Sequence, residues 1–162
     1  MSSDIDILIS EVGPRDGLQN TKVFMPTAYK KKWISAAAAA GLREIEVCSF
    51  VPPKLIPQMA DAAEIVAHAR TIPGLHVAAL APNFKGAQRA METGVHKLTL
   101  TISVSRAHSL ANVRMTPDEA IASAAQDPRR RHARRAAVRL CAAGRCDQGF
   151  CPGDTFALNR CI

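Results

Sequence analysis

Between Ile9 and Asn20 the chain reads ISEVGPRDGLQN, which sets an Arg-Asp pair, two glycines, a proline and two amides directly behind the apolar run IDILI. Arg15 and Asp16 bring two chemistries into one turn. An aspartate carboxylate is a hard oxygen ligand for a divalent cation, and a guanidinium beside it can stabilise an oxyanion. An adjacent acid and base also occur as a plain solvated pair, and the turn alone does not separate these readings. Glu46 is flanked by Ile45 and Val47 in a later apolar run. In a strand its side chain points away from theirs, so it stands inside a closed barrel or on a solvated face. If it is inside, it needs a cationic partner, and Arg15 or a metal-bound group could supply one.

The elements that must position these residues follow from the hydrophobic pattern. IDILISEV reads as a first strand ending at Gly13-Pro14, and TAYKKKWISAAAAAGL as a helix with Thr27 as N-cap and Gly41 just past its end. REIEVCSF is a second strand, VPPKLIPQ a proline-rich loop, and MADAAEIVAHARTIPG a second helix stopped by Pro73-Gly74. LHVAALA, PNFKGAQRAMETG and HKLTLTISVS continue as strand, helix stopped at Gly94, and strand. TPDEAIASAAQD then opens a fourth helix, with Thr116 as cap, Pro117 at the first helical position and Glu119 at the third. Alternating strands and helices call for parallel pairing and crossover helices. Four such βα units form either an open doubly wound sheet or the first half of an eight-unit barrel, and both put functional residues at the carboxyl ends of the strands. No GxGxxG or Walker sequence follows the first strand, which weakens a nucleotide-binding reading.

EVGPRDGLQN, followed in order by SFVPPKLIPQMAD, APNFKG and SLANVRMTPDE, resembles the 3-hydroxy-3-methylglutaryl-CoA lyases over about Ile7 to Ala125. The resemblance implies an α/β fold of the (β/α)8 TIM-barrel family, with about four βα units present. It also implies metal-dependent cleavage of 3-hydroxy-3-methylglutaryl-CoA to acetyl-CoA and acetoacetate. The cofactor would be a divalent cation, Mg²⁺ or Mn²⁺, with Asp16 as a metal ligand. Arg15 would stabilise the enolate oxygen that develops on the thioester, Glu46 and Gln19 would order the site, and Lys22 would meet the acyl-CoA. A homo-oligomer is the expectation for the full-length enzyme. GPRDGLQ favours the lyase over the related Claisen synthases, which tend to carry an acid before Gln where this chain has Leu18. A lyase for another hydroxyacyl-CoA belongs to the same group. The family also takes metal ligands from a late His-x-His pair and an Asn, with a catalytic Cys in a glycine-rich loop, and the sequence contains no His-x-His.

Composition supports one ordinary domain: 162 residues, 48% of them hydrophobic, suffice for a core. The net charge of +7 would raise nucleic acid as a partner, but it is unevenly placed. Through Asp127 thirteen Lys and Arg face twelve Asp and Glu; beyond it eight Arg face two Asp. Four of the five cysteines also lie beyond Asp127. Residues 1–127 therefore read as the amino-terminal half of a lyase-like barrel, and residues 128–162 as an irregular, basic Arg/Cys-rich tail that is disordered or out of frame from near Gln126. The tail cysteines lack the CxxC pairing usual for structural zinc. A non-catalytic basic binding protein is the reading of another class, with the tail binding phosphates by charge. The expected partner is an acyl-CoA, with nucleic acid disfavoured. The opening MSSDIDILIS carries acids where a secretory signal is basic, and no apolar run reaches the roughly 20 residues of a membrane span. A cytoplasmic location with free thiols is the expectation.

Overall fold

The computed structural model describes residues 7–125 and the two strands at 137–143 and 155–158. The elements are β1 (Ser10–Glu11), α1 (Thr27–Ala39), β2 (Glu44–Ser49), α2 (Ala62–Arg70), β3 (His76–Ala81), α3 (Phe84–Glu92), β4 (Lys97–Ser103), α4 (Arg106–Val113), α5 (Pro117–Ala125), β5 (Ala137–Ala143) and β6 (Thr155–Leu158). A single π-type turn occupies Gly13–Gly17 and a short 3-10 turn Pro57–Met59. Among the described residues no helix is long and apolar enough to cross a membrane.

Strands β1 to β5 are parallel and lie side by side in chain order, with β6 antiparallel on β5. A doubly wound sheet reverses its strand order at a switch point, and this sheet does not. Right-handed crossovers in an unreversed order put successive helices on one face. The core agrees: Ile34 of α1, Ile65 and Val66 of α2, and Ala87 and Ala90 of α3 share one cluster with Ile45, Val47, Val77 and Leu98. Of the two architectures open to the sequence, the half-barrel is the one observed.

Period-two alternation then decides what the other face carries. On β4, Leu98 and Leu100 belong to the core side, while Lys97, Thr99, Thr101 and Ser103 alternate with them. Glu44 and Glu46 alternate in the same way with Ile45 and Val47 on β2. The two polar rows meet, Lys97 Nζ donating to Glu44 Oε1 at 2.6 Å and the Thr99 hydroxyl to Glu46 Oε2 at 3.3 Å. Glu46 therefore stands inside the curled sheet rather than on a solvated face.

Several predicted elements take a different form. The first strand shrinks to Ser10–Glu11, because its partner β2 begins at Glu44, opposite Ser10, and leaves Ile7, Leu8 and Ile9 exposed with no strand facing them. The N-cap of α1 is Pro26, not Thr27, and no side chain caps it; the Thr27 hydroxyl instead donates to Asp61 Oδ2 at 2.7 Å. The Thr116 capping box is present, with the Thr116 N–H donating to Glu119 Oε2 at 2.7 Å and the Glu119 N–H to Thr116 Oγ1 at 3.3 Å. The stop glycines Gly41 and Gly94 take left-handed φ values of 98° and 78°. Helix α4 has no counterpart in the sequence reading; Ser105 caps it, and it ends at Arg114, a non-glycine residue with φ 57°. In the stretch expected to show no strand, β5 pairs with β4 from Ala137 to Ala143 and satisfies that edge's backbone groups. Within residues 128–162 only β5 and β6 are described, and the rest of that stretch, with the reading of it as irregular or out of frame, lies outside the described residues.

Candidate active site at the carboxyl end of the first strand

The Gly13–Gly17 turn aims Arg15 and Asp16 by its backbone. The Val12 carbonyl accepts from both the Arg15 N–H (3.1 Å) and the Asp16 N–H (2.7 Å). Asn20 Nδ2 donates to the Asp16 carbonyl at 2.8 Å and closes the turn from the other side. Gly13 is where the turn crosses the single tryptophan: a Cβ there would lie 2.7 Å from Glu11 Oε1 and 2.8 Å from the Trp33 ring. Only glycine allows that approach without displacing one of them.

Arg15 joins two carboxylates. Its Nε donates to Glu46 Oε1 at 2.7 Å and its Nη1 to Asp16 Oδ1 at 2.6 Å. The two acids differ in setting, with 6% of the Glu46 side chain exposed against 52% for Asp16. Glu46 spends both oxygens, one on Arg15 and one on Thr99, and is held fast. Among the described residues Asp16 Oδ2 and the Arg15 Nη2 amino group have no partner. The cluster thus presents one free carboxylate oxygen and two free N–H donors side by side.

The remaining expected site residues fare differently. The Gln19 side-chain carbonyl is buried without a donor among the described residues, an acceptor still waiting for a partner. Lys22 is exposed on the loop beyond the turn and makes no ion pair among the described residues. Cys48 is buried in β2, its thiol donating to the Ala62 carbonyl at 3.7 Å. Burial first, then the negative charges of Asp61 and Glu46, push its pKa far up, so it is no nucleophile.

Two polar groups at this site escaped the sequence reading, Asn20 and Thr99, and a further pair, Ser103 and His108, stands at the carboxyl end of β4. Ser103 ends β4 on the same face as Thr99, and its hydroxyl lies 2.7 Å from His108 Nδ1. The other described histidines lie elsewhere. His68 meets Ser35 on α1 at 3.0 Å, and His76 and His96 stack at 5.1 Å where β3 begins and just ahead of β4. Burial, aided by the charge of Arg70, lowers the His96 pKa.

A divalent oxygen-seeking cation takes about six donors. Among the described residues no three His, Cys, Asp or Glu side chains converge. Asp16 fits as one ligand, being half-exposed with an oxygen free, and the orphaned Gln19 carbonyl is a second oxygen of suitable hardness on the same loop.

The sequence profile of the HMGL-like family matches residues 6–147 of this chain. A Pseudomonas aeruginosa relative, 3-hydroxy-3-isohexenylglutaryl-CoA/hydroxy-methylglutaryl-CoA lyase, is 48% identical over 107 residues, which is 66% of this chain and 36% of that protein. The crystal structure of Bacillus subtilis HMG-CoA lyase superposes with a TM-score of 0.77 at 34% identity, over 84% of this chain and 46% of the other. An Acinetobacter baumannii HMG-CoA lyase, solved with coenzyme A and 3-methylmalate, superposes with a TM-score of 0.74 at 33% identity, over 85% of this chain and 44% of the other. The chain spans between 25% and 38% of the length of the curated relatives it matches.

Proposed function

The chain belongs to the HMGL-like family, and from that premise we propose that it carries the Arg15–Asp16 part of a site that cleaves 3-hydroxy-3-methylglutaryl-CoA to acetyl-CoA and acetoacetate. In that reaction the C3 hydroxyl loses its proton and the C2–C3 bond breaks with its electron pair going to C2. C3 becomes the ketone of acetoacetate, and acetyl-CoA departs as an enolate that takes a proton at C2. The observation that carries the reading is the bridged guanidinium. Glu46 and Asp16 fix Nε and Nη1, so the remaining Nη2 donors are preorganised for the enolate oxygen, where negative charge develops. Lys22, exposed on the same loop, meets the anionic acyl-CoA, and the Gln19 carbonyl orders a donor in the site. A divalent cation held by Asp16, Mg²⁺ or Mn²⁺, would lower the pKa of the C3 hydroxyl.

Trp33 packs against the turn and reports on it. Adding 3-hydroxy-3-methylglutaryl-CoA with Mg²⁺ should change its emission saturably. The affinity should fall about tenfold or more in Arg15→Gln, which loses a charge-assisted donor. Asp16→Asn should remove the dependence on Mg²⁺. Acetoacetate release by the chain alone should stay near background, because its described residues offer one carboxylate toward the cation. An Arg15→Gln protein that binds as well as the wild type sinks the proposal. The isohexenylglutaryl thioester named for the Pseudomonas relative belongs in the same titration, since tighter binding of it would move the substrate to the longer 3-alkyl chain.

A further inference from the structure

The stretch SFVPPKLIPQMAD contributes nothing to the chemistry above, yet its end is buried against the loop that leaves the site turn. The Gln58 side chain grips that loop at two points. Its Nε2 donates to the Val23 carbonyl, and its Oε1 accepts from the Met25 N–H at 3.2 Å. Behind it stands a partly buried ion pair. Lys30 Nζ donates to the Gln58 carbonyl and to both oxygens of Asp61, at 2.8 and 3.0 Å, while Thr27 donates to Asp61 as well. Lys30 and Gln58 are only 3% and 6% exposed, so a charge and an amide are hidden here with their polar atoms partnered.

The network ties together the loop after the site turn, the first turns of α1 and the Pro57–Met59 turn that follows β2. Strand β2 also carries Glu46, the residue that holds Arg15. The segment from Arg15 to Met25 is therefore fastened to β2 at one end and to the turn after it at the other. Gln19 and Lys22 lie between the two fastenings.

We propose that Gln58, backed by Lys30 and Asp61, is a positioning residue: it holds the Leu18–Met25 loop as a fixed wall of the acyl-CoA site and sets where Gln19 and Lys22 stand. This rests on the reading of Lys22 as a residue that faces the thioester substrate, and the experiment separates the two. Hydrogen–deuterium exchange of the full chain should show residues 18–26 exchanging at least about tenfold faster in Gln58→Ala, with β2 and β3 unchanged. Gln58→Glu keeps an acceptor for the Met25 N–H and loses the donor to Val23, so it should give intermediate rates. It also serves as the readable variant if Gln58→Ala fails to fold. Binding of 3-hydroxy-3-methylglutaryl-CoA, read by Trp33, should weaken in the same order.

Ser35→Ala, which removes a contact to His68 on the outer helices, is the control for a general loss of packing. Unchanged exchange at residues 18–26 in both Gln58 variants overturns the proposal. So does affinity that merely tracks melting temperature across all three variants. If the wild type itself does not respond to the thioester, the proposed substrate is wrong, and the exchange data alone decide the clamp.

Discussion

Arg15 has one partner it keeps and one it can release. Its pair with buried Glu46 is costly to break, since losing one member of a buried pair destabilises by about 3 to 5 kcal/mol. Its pair with half-exposed Asp16 is screened by water and worth about 0 to 1 kcal/mol. In the proposed site Asp16 would therefore be free to turn to a cation while Glu46 keeps the guanidinium in place. Cys48 shows the opposite use of burial. With its thiol pKa raised by burial and by the Asp61 and Glu46 charges, it should resist iodoacetamide in the folded chain at pH 8 and react only on adding denaturant. Peptide mapping by mass spectrometry checks this, and alkylation of Cys48 under native conditions would contradict it. Arg15, Asp16 and Glu46 could be singled out through the lyase-like motifs that hold them, since the turn and the strand by themselves left a solvated pair and a solvated face open. Asn20, Thr99 and His108 were not, because a hydrogen bond between side chains of different elements, or to backbone, leaves no trace in spacing or charge. Gln58 stood inside a quoted motif, but its role depends on which backbone it meets.

At the scale of elements, the meeting of polar rows from β2 and β4 holds the inner face of the sheet together. The Glu44 carboxyl is the test of it. Burial pushes its pKa up, but hydrogen bonds from Lys97 and Ser10 and the charges of Lys97 and His76 outweigh that and hold it below 4.5. A carboxyl lowered in the folded state stabilises above its unfolded value, and that contribution is lost as pH falls through the folded value. Lys97→Met should therefore cost about 3 kcal/mol at pH 7, and the penalty should shrink below about pH 4.5 as Glu44 takes a proton. Urea midpoints at pH 7 and pH 4 measure it, and a penalty that ignores pH would refute the pairing. The alternation in HKLTLTISVS already displayed this strand, and Gly41 and Gly94 marked their helix ends. The length of β1 did not follow from its own residues, since a strand extends only as far as its neighbour does. Helix α4 was hidden because it is short, ends on Arg114 in place of the usual glycine, and buries Ser109 while Leu110 stays exposed.

For the whole molecule, β1 is one edge of the sheet. Among the described residues its outer edge pairs with no strand, and Ile7, Leu8 and Ile9 stand exposed beside it. An apolar open edge is a template for another strand, so the chain should self-associate, and a Leu8→Lys, Ile9→Lys double variant should shift it toward monomer. Sedimentation velocity over a concentration series reads this; a monomer throughout, or association untouched by the lysines, would refute it. The barrel class was within reach of the sequence only through its motifs, because periodicity is the same in both parallel architectures. What distinguished them was the order of strands, a property no single segment carries. That order also bears on how the protein comes into being. Because β1 to β5 neighbour one another in the order they are synthesised, each strand leaving the ribosome meets a partner that has already emerged. Loops to be closed stay short, and assembly can advance one βα unit at a time with the growing chain.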